Sequence, residues 1–111
     1  MFTISLIRAA QKELVKLPAG LYAAMLDLME ELGEAGVSLK EPKVRDIGNG
    51  LKELRANAQE GIARGFFFFE ADRQIYVVHI LHKKSQKTPK AALELAKERM
   101  NMLKRMLKND K

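Results

Sequence analysis

An α+β fold is predicted for this chain: an N-terminal helical hairpin packed on a small antiparallel β-sheet, a meander, followed by a basic C-terminal helix. Two patterns and one length argument predict it. Apolar residues recur at three- and four-residue spacing before Gly36 and again after Pro89. Between Leu51 and Leu81, short segments rich in β-branched and aromatic residues alternate with turn-like stretches. Those turns are too short for parallel crossovers, which need about a dozen residues or more. At 111 residues the chain supports one core and not two, so a single domain is expected over 1–111.

In chain order, Phe2 to Ile4 reads as a short edge strand. From Ser5, Leu6, Ala9, Ala10, Leu14 and Leu17 form a helical stripe that ends before Pro18. A second helix follows, with Leu21, Met25, Leu28, Met29 and Leu32 on one face and Asp27, Glu30, Glu31 and Glu34 off it, stopped by Gly33 and Gly36. Residues 37 to 46 read as a polar connection containing Pro42. Strands are expected at Leu51 to Arg55, Ala63 to Phe69 and Ile75 to Leu81; Phe66 to Phe69 place aromatics on both faces of the middle one, as in a sheet covered on both sides. Thr88 suits a helix N-cap and Pro89 a first helical position. The last helix, Lys90 to about Lys108, carries Leu93, Ala96, Met100, Leu103 and Leu107 on one seam, with Lys90, Lys97, Lys104 and Lys108 off it. The methionines fall mostly on helical stripes and read as core.

Composition narrows the function. Hydrophobic residues at 47% and charged residues at 31% fit a globular domain and not a disordered chain. No apolar run reaches the ~20 residues needed to cross a bilayer, and Met1 to Leu17 carries charge too evenly for a signal peptide, so a cytoplasmic protein with no membrane partner is expected. The absence of cysteine removes disulfides, thiolate catalysis and Cys-ligated metal. Two histidines without an acidic cluster give no reason to expect a metal or any other cofactor.

Charge is where the sequence is most informative. Residues 1–81 hold ten Lys/Arg against eleven Asp/Glu, a balance of −1, whereas residues 82–111 hold ten against three, a balance of +7. A basic lobe on a neutral domain suggests nucleic acid or an acidic protein segment as partner. Its centre is the run from His79 to Pro89, in which an apolar strand leads into Lys83, Lys84 and Lys87. In a meander, the end of the first strand, the start of the second and the end of the third share one edge. A hairpin centred near Asp72 sets Arg64 opposite Ile80 to His82, and one near Gln59 sets Arg55 opposite Ala63 or Arg64. Arg55, Arg64, Lys83 and Lys84 are thus expected to converge with no acidic residue among them, and Lys87 to lie close by. That gathering suits a phosphodiester. The alternative is a solvated charge run at a sheet edge. His79 reads as a satisfied core histidine, and His82, on the opposite face, as a candidate acid or base.

Several of these pieces resemble the HigB-like, phage-derived branch of the RelE/ParE toxin superfamily: Gly48-x-Gly50-Leu51-x-Glu53-Leu54-Arg55, Arg64 on the next strand, and His79 followed by Lys83-Lys84-x-x-Lys87-x-Pro89 and an amphipathic helix. The similarity spans nearly the whole chain. Ala63 and Gly65 flank Arg64 where that family often has bulkier residues, and Leu81 stands where an aromatic is common. The resemblance implies a toxin of a type II toxin-antitoxin pair, a metal-independent endoribonuclease that cleaves mRNA, often on the ribosome. It further implies silencing by a cognate antitoxin, expected as a helix-turn-helix protein, with the toxin alone a monomer. On that resemblance Arg55, Arg64, Lys83, Lys84 and Lys87 match the family's basic positions; with His82 added on its own chemistry, Arg64, Lys83, Lys84 and His82 are the catalytic candidates, and Arg55, Lys87 and Lys90 are expected to bind RNA phosphates.

Such cleavage needs a base, an acid for the leaving oxygen and cations for the phosphoryl oxygens. Guanidinium groups suit the last role. A lysine serves as base only where crowding lowers its ordinary pKa of about 10.4; a histidine needs no such help. Between Lys83, Lys84 and His82 the sequence leaves the choice open. The competing reading is a non-nuclease basic module, such as a ParE-like gyrase inhibitor or an inactive relative.

Overall fold

The computed structural model describes residues 1–83 and 87–109. Its elements are β1 (Thr3–Leu6), α1 (Arg8–Val15), α2 (Ala19–Ala35), a short 3-10 turn (Gly36–Ser38), β2 (Val44–Gly48), β3 (Leu51–Ala58), β4 (Gly61–Glu70), β5 (Gln74–Lys83) and α3 (Lys90–Asn109). The strands form one sheet in the order β1-β5-β4-β3-β2. The expected meander is present as β3-β4-β5, but the sheet is mixed and larger: β2 adds antiparallel to β3, and β1 pairs parallel with β5. No helix of the described residues is long and apolar enough to cross a membrane.

The expected register holds closely. Arg55 pairs with Arg64, and Arg64 with Leu81. A bulge opposite Phe66 and Phe67 leaves Val78 as an extra residue in β5. It breaks the alternation that would have put Val77, His79 and Leu81 on one face. Val77 packs with the core under α1 and α2, whereas His79 stacks on Phe66, which belongs to the core under α3.

Both faces of the sheet are covered. Leu21, Met25 and Leu32 of α2 and Ala10 and Leu14 of α1 bury Leu54, Ala56, Ala63, Phe67, Ile75 and Ile80. Ala96 and Met100 of α3 bury Leu51, Phe66, Phe68 and Val78 on the other side. The four consecutive phenylalanines divide between the two cores as the strand period requires. Of the methionines, Met25, Met29 and Met100 are core, while Met102 and Met106 on the last turns of α3 face solvent.

The helical hairpin needs correction. The first helix begins only at Arg8, because residues 3–6 pair with β5, and α1 lies along β5 while α2 crosses β3 and β4. The two helices share one sheet face instead of covering it as a self-packed pair. The free N–H groups at the start of α2 gain a distant acceptor: the Glu60 carboxylate, in the β3–β4 turn, receives the Gly20 N–H at 3.1 Å.

The segment read as a polar connection also needs correction, since its last three residues open β2. Asn49 and Gly50, at φ 55° and 90°, form the two-residue turn that joins β2 to β3. Both residues sit at positive φ, where Asn and Gly are the residues least penalised. At α3, Pro89 lies just outside the helix; its carbonyl accepts from Ala92 and Leu93, and the Thr88 hydroxyl donates to Glu53.

Candidate functional site

Register fixes which charges meet. Arg45 pairs with Glu53 across β2 and β3, Glu53 with Phe66 across β3 and β4, and Arg55 with Arg64. Leu51 and Phe66 belong to the α3-side core, so the period of two sets Glu53, Arg55 and Arg64 on that same face. Glu53 and Arg64 are both 0% exposed. A Glu53 carboxylate oxygen lies 3.5 Å from Arg64 Nε, and the other lies 3.4 Å from Arg55 Nε. The Thr88 hydroxyl donates to this carboxylate from the start of the α3 segment.

This overturns the expectation that no acidic residue sits among the converging cations. Glu53 answers part of the repulsion that three guanidinium groups would otherwise feel, and Arg45, Arg55 and Arg64 still exceed it by two charges. Burial pushes the Arg64 guanidinium below its ordinary pKa, the Glu53 carboxylate pushes it back up, and Arg55 and Arg45 lower it again.

The remaining candidates fall in different places. Lys83, exposed at the end of β5, pairs with Ile62, two residues beyond the Leu81–Arg64 pair, and so shares the Arg64 face at the same rim. His82 pairs with Ala63, whose side chain lies in the opposite core. Its Nε2 sits 3.0 Å from the Glu60 carbonyl, to which it donates, so His82 is tied to the β3–β4 turn and apart from the arginines. Lys87 and Lys90 are exposed on the approach to α3 and at its first residue. Lys84 lies outside the described residues. Arg45 was missed by sequence reasoning because β2 was missed; the Asn49-Gly50 turn was the signal that a strand precedes it.

A second polar cluster holds His79. β1 covers the β5 edge only as far as Val77, and side chains take over beyond it. Glu13 of α1 accepts the Ile80 N–H at 3.0 Å and the Arg99 guanidinium at 3.0 and 3.1 Å, while Arg99 also donates to the Val78 carbonyl at 3.0 Å. His79 Nδ1 lies 2.9 Å from Glu13 and its ring stacks on Phe66. Desolvation pushes the Glu13 carboxyl up, but the Ile80 N–H, His79 and Arg99 outweigh it and hold the group below the ordinary carboxylate range. His79 is thus a core histidine with its polar atom satisfied. Among the described residues no group of three or more His, Asp or Glu side chains is placed to hold a metal ion.

The family model for phage-derived Gp49-like proteins matches residues 12–101, which takes in every described residue of the arginine cluster and most of α3. The chain belongs to the phage-derived Gp49-like family. Two solved structures share the Gp49-like chain's fold. One is the toxin-antitoxin complex RelBE2 from Mycobacterium tuberculosis, at 18% identity and a TM-score of 0.56, covering 74% of this chain and 98% of that one. The other is the RelE-RelB complex from the archaeon Pyrococcus horikoshii OT3, at 17% identity and a TM-score of 0.55, covering 78% of this chain and 98% of that one. At such identities the likeness is one of fold. No curated protein sequence matches the Gp49-like chain.

Proposed function

We propose that this chain is the toxin of a type II toxin-antitoxin pair, of the HigB-like kind, and that it cleaves mRNA without a metal, on or near the ribosome, until a cognate antitoxin binds it. The observation that carries this reading is the excess of positive charge on one sheet face. Arg55 and Arg64 flank a single carboxylate, with Arg45 its cross-strand neighbour, on the sheet face where Lys83 ends β5. Membership of a phage-derived family and the fold shared with two proteins solved in toxin-antitoxin complexes support it.

In the reaction, the ribose 2′-oxygen attacks the adjacent phosphorus, the bond to the 5′-oxygen breaks, and a 2′,3′-cyclic phosphate and a 5′-hydroxyl result. One group takes the 2′-hydroxyl proton and one gives a proton to the departing oxygen. Arg55, partly exposed, meets the phosphoryl oxygens, and Arg64 adds its charge from beneath. Lys83 shares their face and takes the proton-transfer role with Lys84; His82, tied to the opposite side, anchors the turn. Lys87 and Lys90 hold flanking phosphates.

A second reading rests on the burial of Arg64. An arginine closed off from solvent serves the fold, and the rim then binds an acidic partner, or poisons gyrase, without cutting RNA. Mapping of cellular RNA 5′ ends after brief induction separates the two. New 5′-hydroxyl ends that vanish in Lys83→Ala support the nuclease, whereas intact RNA with growth arrest, or DNA breaks trapped with gyrase, removes it. A helix-turn-helix protein encoded next door supports the toxin role in either case.

A further inference from the structure

Beside the arginine cluster runs a cleft of about 280 Å³ between β2 and the start of α3, lined by Arg45, Asp46, Ile47, Lys87, Thr88 and Leu93. It is continuous with the cluster, because Thr88 lines the cleft and also donates to Glu53, and Arg45 is the cross-strand partner of Glu53. Its chemistry is divided. Ile47 and Leu93 supply an apolar wall, both packed against the α3-side core, while Arg45 and Lys87 supply cations. Asp46, the one carboxylate on the lining, has its own partners, since Oδ1 accepts the Gly48 N–H at 3.3 Å and lies 3.7 Å from Lys52 Nζ.

We infer that this cleft is a subsite for one nucleotide of single-stranded RNA, with the phosphate on Arg45 and Lys87 and the base against Ile47 and Leu93. The inference rests on the nuclease reading and extends it to a base-binding wall, Ile47 and Leu93, that reading does not use. An apolar wall beside cations matches how unstacked bases are held, since every base has an apolar face and sequence-tolerant grooves join such walls to charges that track the backbone. Volume agrees: the space is just under the ~300 Å³ at which drug-sized pockets begin, enough for one base and not for a folded element. Position agrees as well. Arg45 on β2 stands two strands from Arg64 on β4, about 10 Å at ordinary strand spacing, so the cleft lies within reach of a nucleotide neighbouring the scissile phosphate.

The test uses a short oligoribonucleotide whose 2′-hydroxyls are all methylated, so that binding is read by fluorescence anisotropy without cleavage. Four proteins are compared over a salt series: wild type, Arg45→Ala, Arg45→Lys and Lys97→Ala. Lys97 is exposed on α3 and does not line the cleft, so its variant removes the same charge elsewhere. Arg45→Ala is expected to weaken binding about five-fold, as the loss of one screened contact does. It should also flatten the dependence of log affinity on log salt by about 0.7, the value of one phosphate on a single strand. Arg45→Lys should restore the slope, and Lys97→Ala should change neither quantity. Ile47→Ser, which removes apolar contact and no charge, should weaken binding with the slope intact.

Equal effects of Arg45→Ala and Lys97→Ala would show diffuse attraction and overturn the subsite, as would unchanged binding by Ile47→Ser. If the wild type cleaves RNA while Arg45→Ala binds and titrates like it, the subsite alone is wrong. If the wild type neither binds the oligonucleotide nor cleaves RNA, the nuclease reading falls first and the subsite with it.

Discussion

Glu53→Gln is the sharpest test of how the cationic face is held. Glu53 and Arg64 are each 0% exposed and 3.5 Å apart, and the same carboxylate also faces Arg55 and accepts from Thr88. Removing one partner of a buried pair leaves the other charge desolvated and uncompensated, a loss of about 3–5 kcal/mol. Glutamine keeps the volume and can still accept the Thr88 hydroxyl, so the loss reports charge and not cavity. For a small protein whose urea m-value is about 1.5 kcal/mol per molar, that lowers the unfolding midpoint by roughly 2–3 M, followed by far-UV circular dichroism. Replacing both partners, as Glu53→Leu with Arg64→Met, removes both desolvated charges together, and such swaps are often close to neutral, so the double variant should be more stable than Glu53→Gln. A midpoint shift of less than 0.5 M for Glu53→Gln, or a double variant less stable than the single, would refute the claim that this carboxylate is what makes a buried arginine tolerable.

Three further expectations use the same logic. Arg64→Ala should lower the unfolding midpoint as well as activity, because Glu53 would lose its buried counter-charge; loss of toxicity with an unchanged midpoint would contradict that. Lys83→Ala, at an exposed position, should instead keep the wild-type midpoint and lower RNA cleavage by about 100-fold or more, read as 5′-hydroxyl ends per unit time, while Arg55→Ala, which removes the more exposed of Glu53's two partners, should lower cleavage as much and the midpoint less than Arg64→Ala does. Gly36→Ala should cost about 1–3 kcal/mol in urea unfolding. The residue sits at φ 58°, and an added Cβ would overlap the Phe2 ring, so both backbone and packing object.

The Glu13 cluster gives a pH prediction whose sign follows from its partners. The folded-state pKa is depressed, because the Ile80 N–H, His79 and Arg99 outweigh desolvation. The unfolded chain therefore holds its proton to higher pH than the folded one does. The stabilisation is fully present above the unfolded carboxylate value of about 4.3 and is lost as pH falls through the lower folded value. Comparing wild type with Glu13→Gln in urea, the stability gap should be widest from pH 5 to 7 and should narrow below pH 4. A gap that stays constant down to pH 3 would mean that Glu13 acts through shape alone.

What the sequence made legible was whatever depends on near neighbours. The three central strands, the splitting of Phe66 to Phe69 between two cores, and the facing of Arg55, Arg64 and Leu81 all follow from the period of two and from short turns. Missing were features set by distant partners. The edge strand expected at Phe2 to Ile4 is there as β1, but its parallel pairing with Gln74 to Val77, about seventy positions later, has no local signature. β2 has a mostly polar face because it is an edge strand, so hydrophobic periodicity says little there, although Asn49-Gly50 marks its end.

The acid among the cations is the more instructive omission. Glu53, two residues from Arg55, was visible as part of a motif, and strand alternation alone puts i and i+2 on one face. Two neighbouring charges on one strand usually both face water; here Arg55 stays partly exposed while Glu53, which accepts from Thr88, is closed off. That enclosure changes what the cluster can do. With the carboxylate enclosed, Arg64 is fixed in place and shielded from solvent, and the accessible charge moves outward to Arg55, Arg45 and Lys83. On the nuclease reading proposed above, a substrate phosphate would meet a rim whose geometry is set before it arrives, and preorganised charge of that kind requires no rearrangement as a transition state forms. The carboxylate that reduces the net charge is on this argument what holds the remaining charges in place.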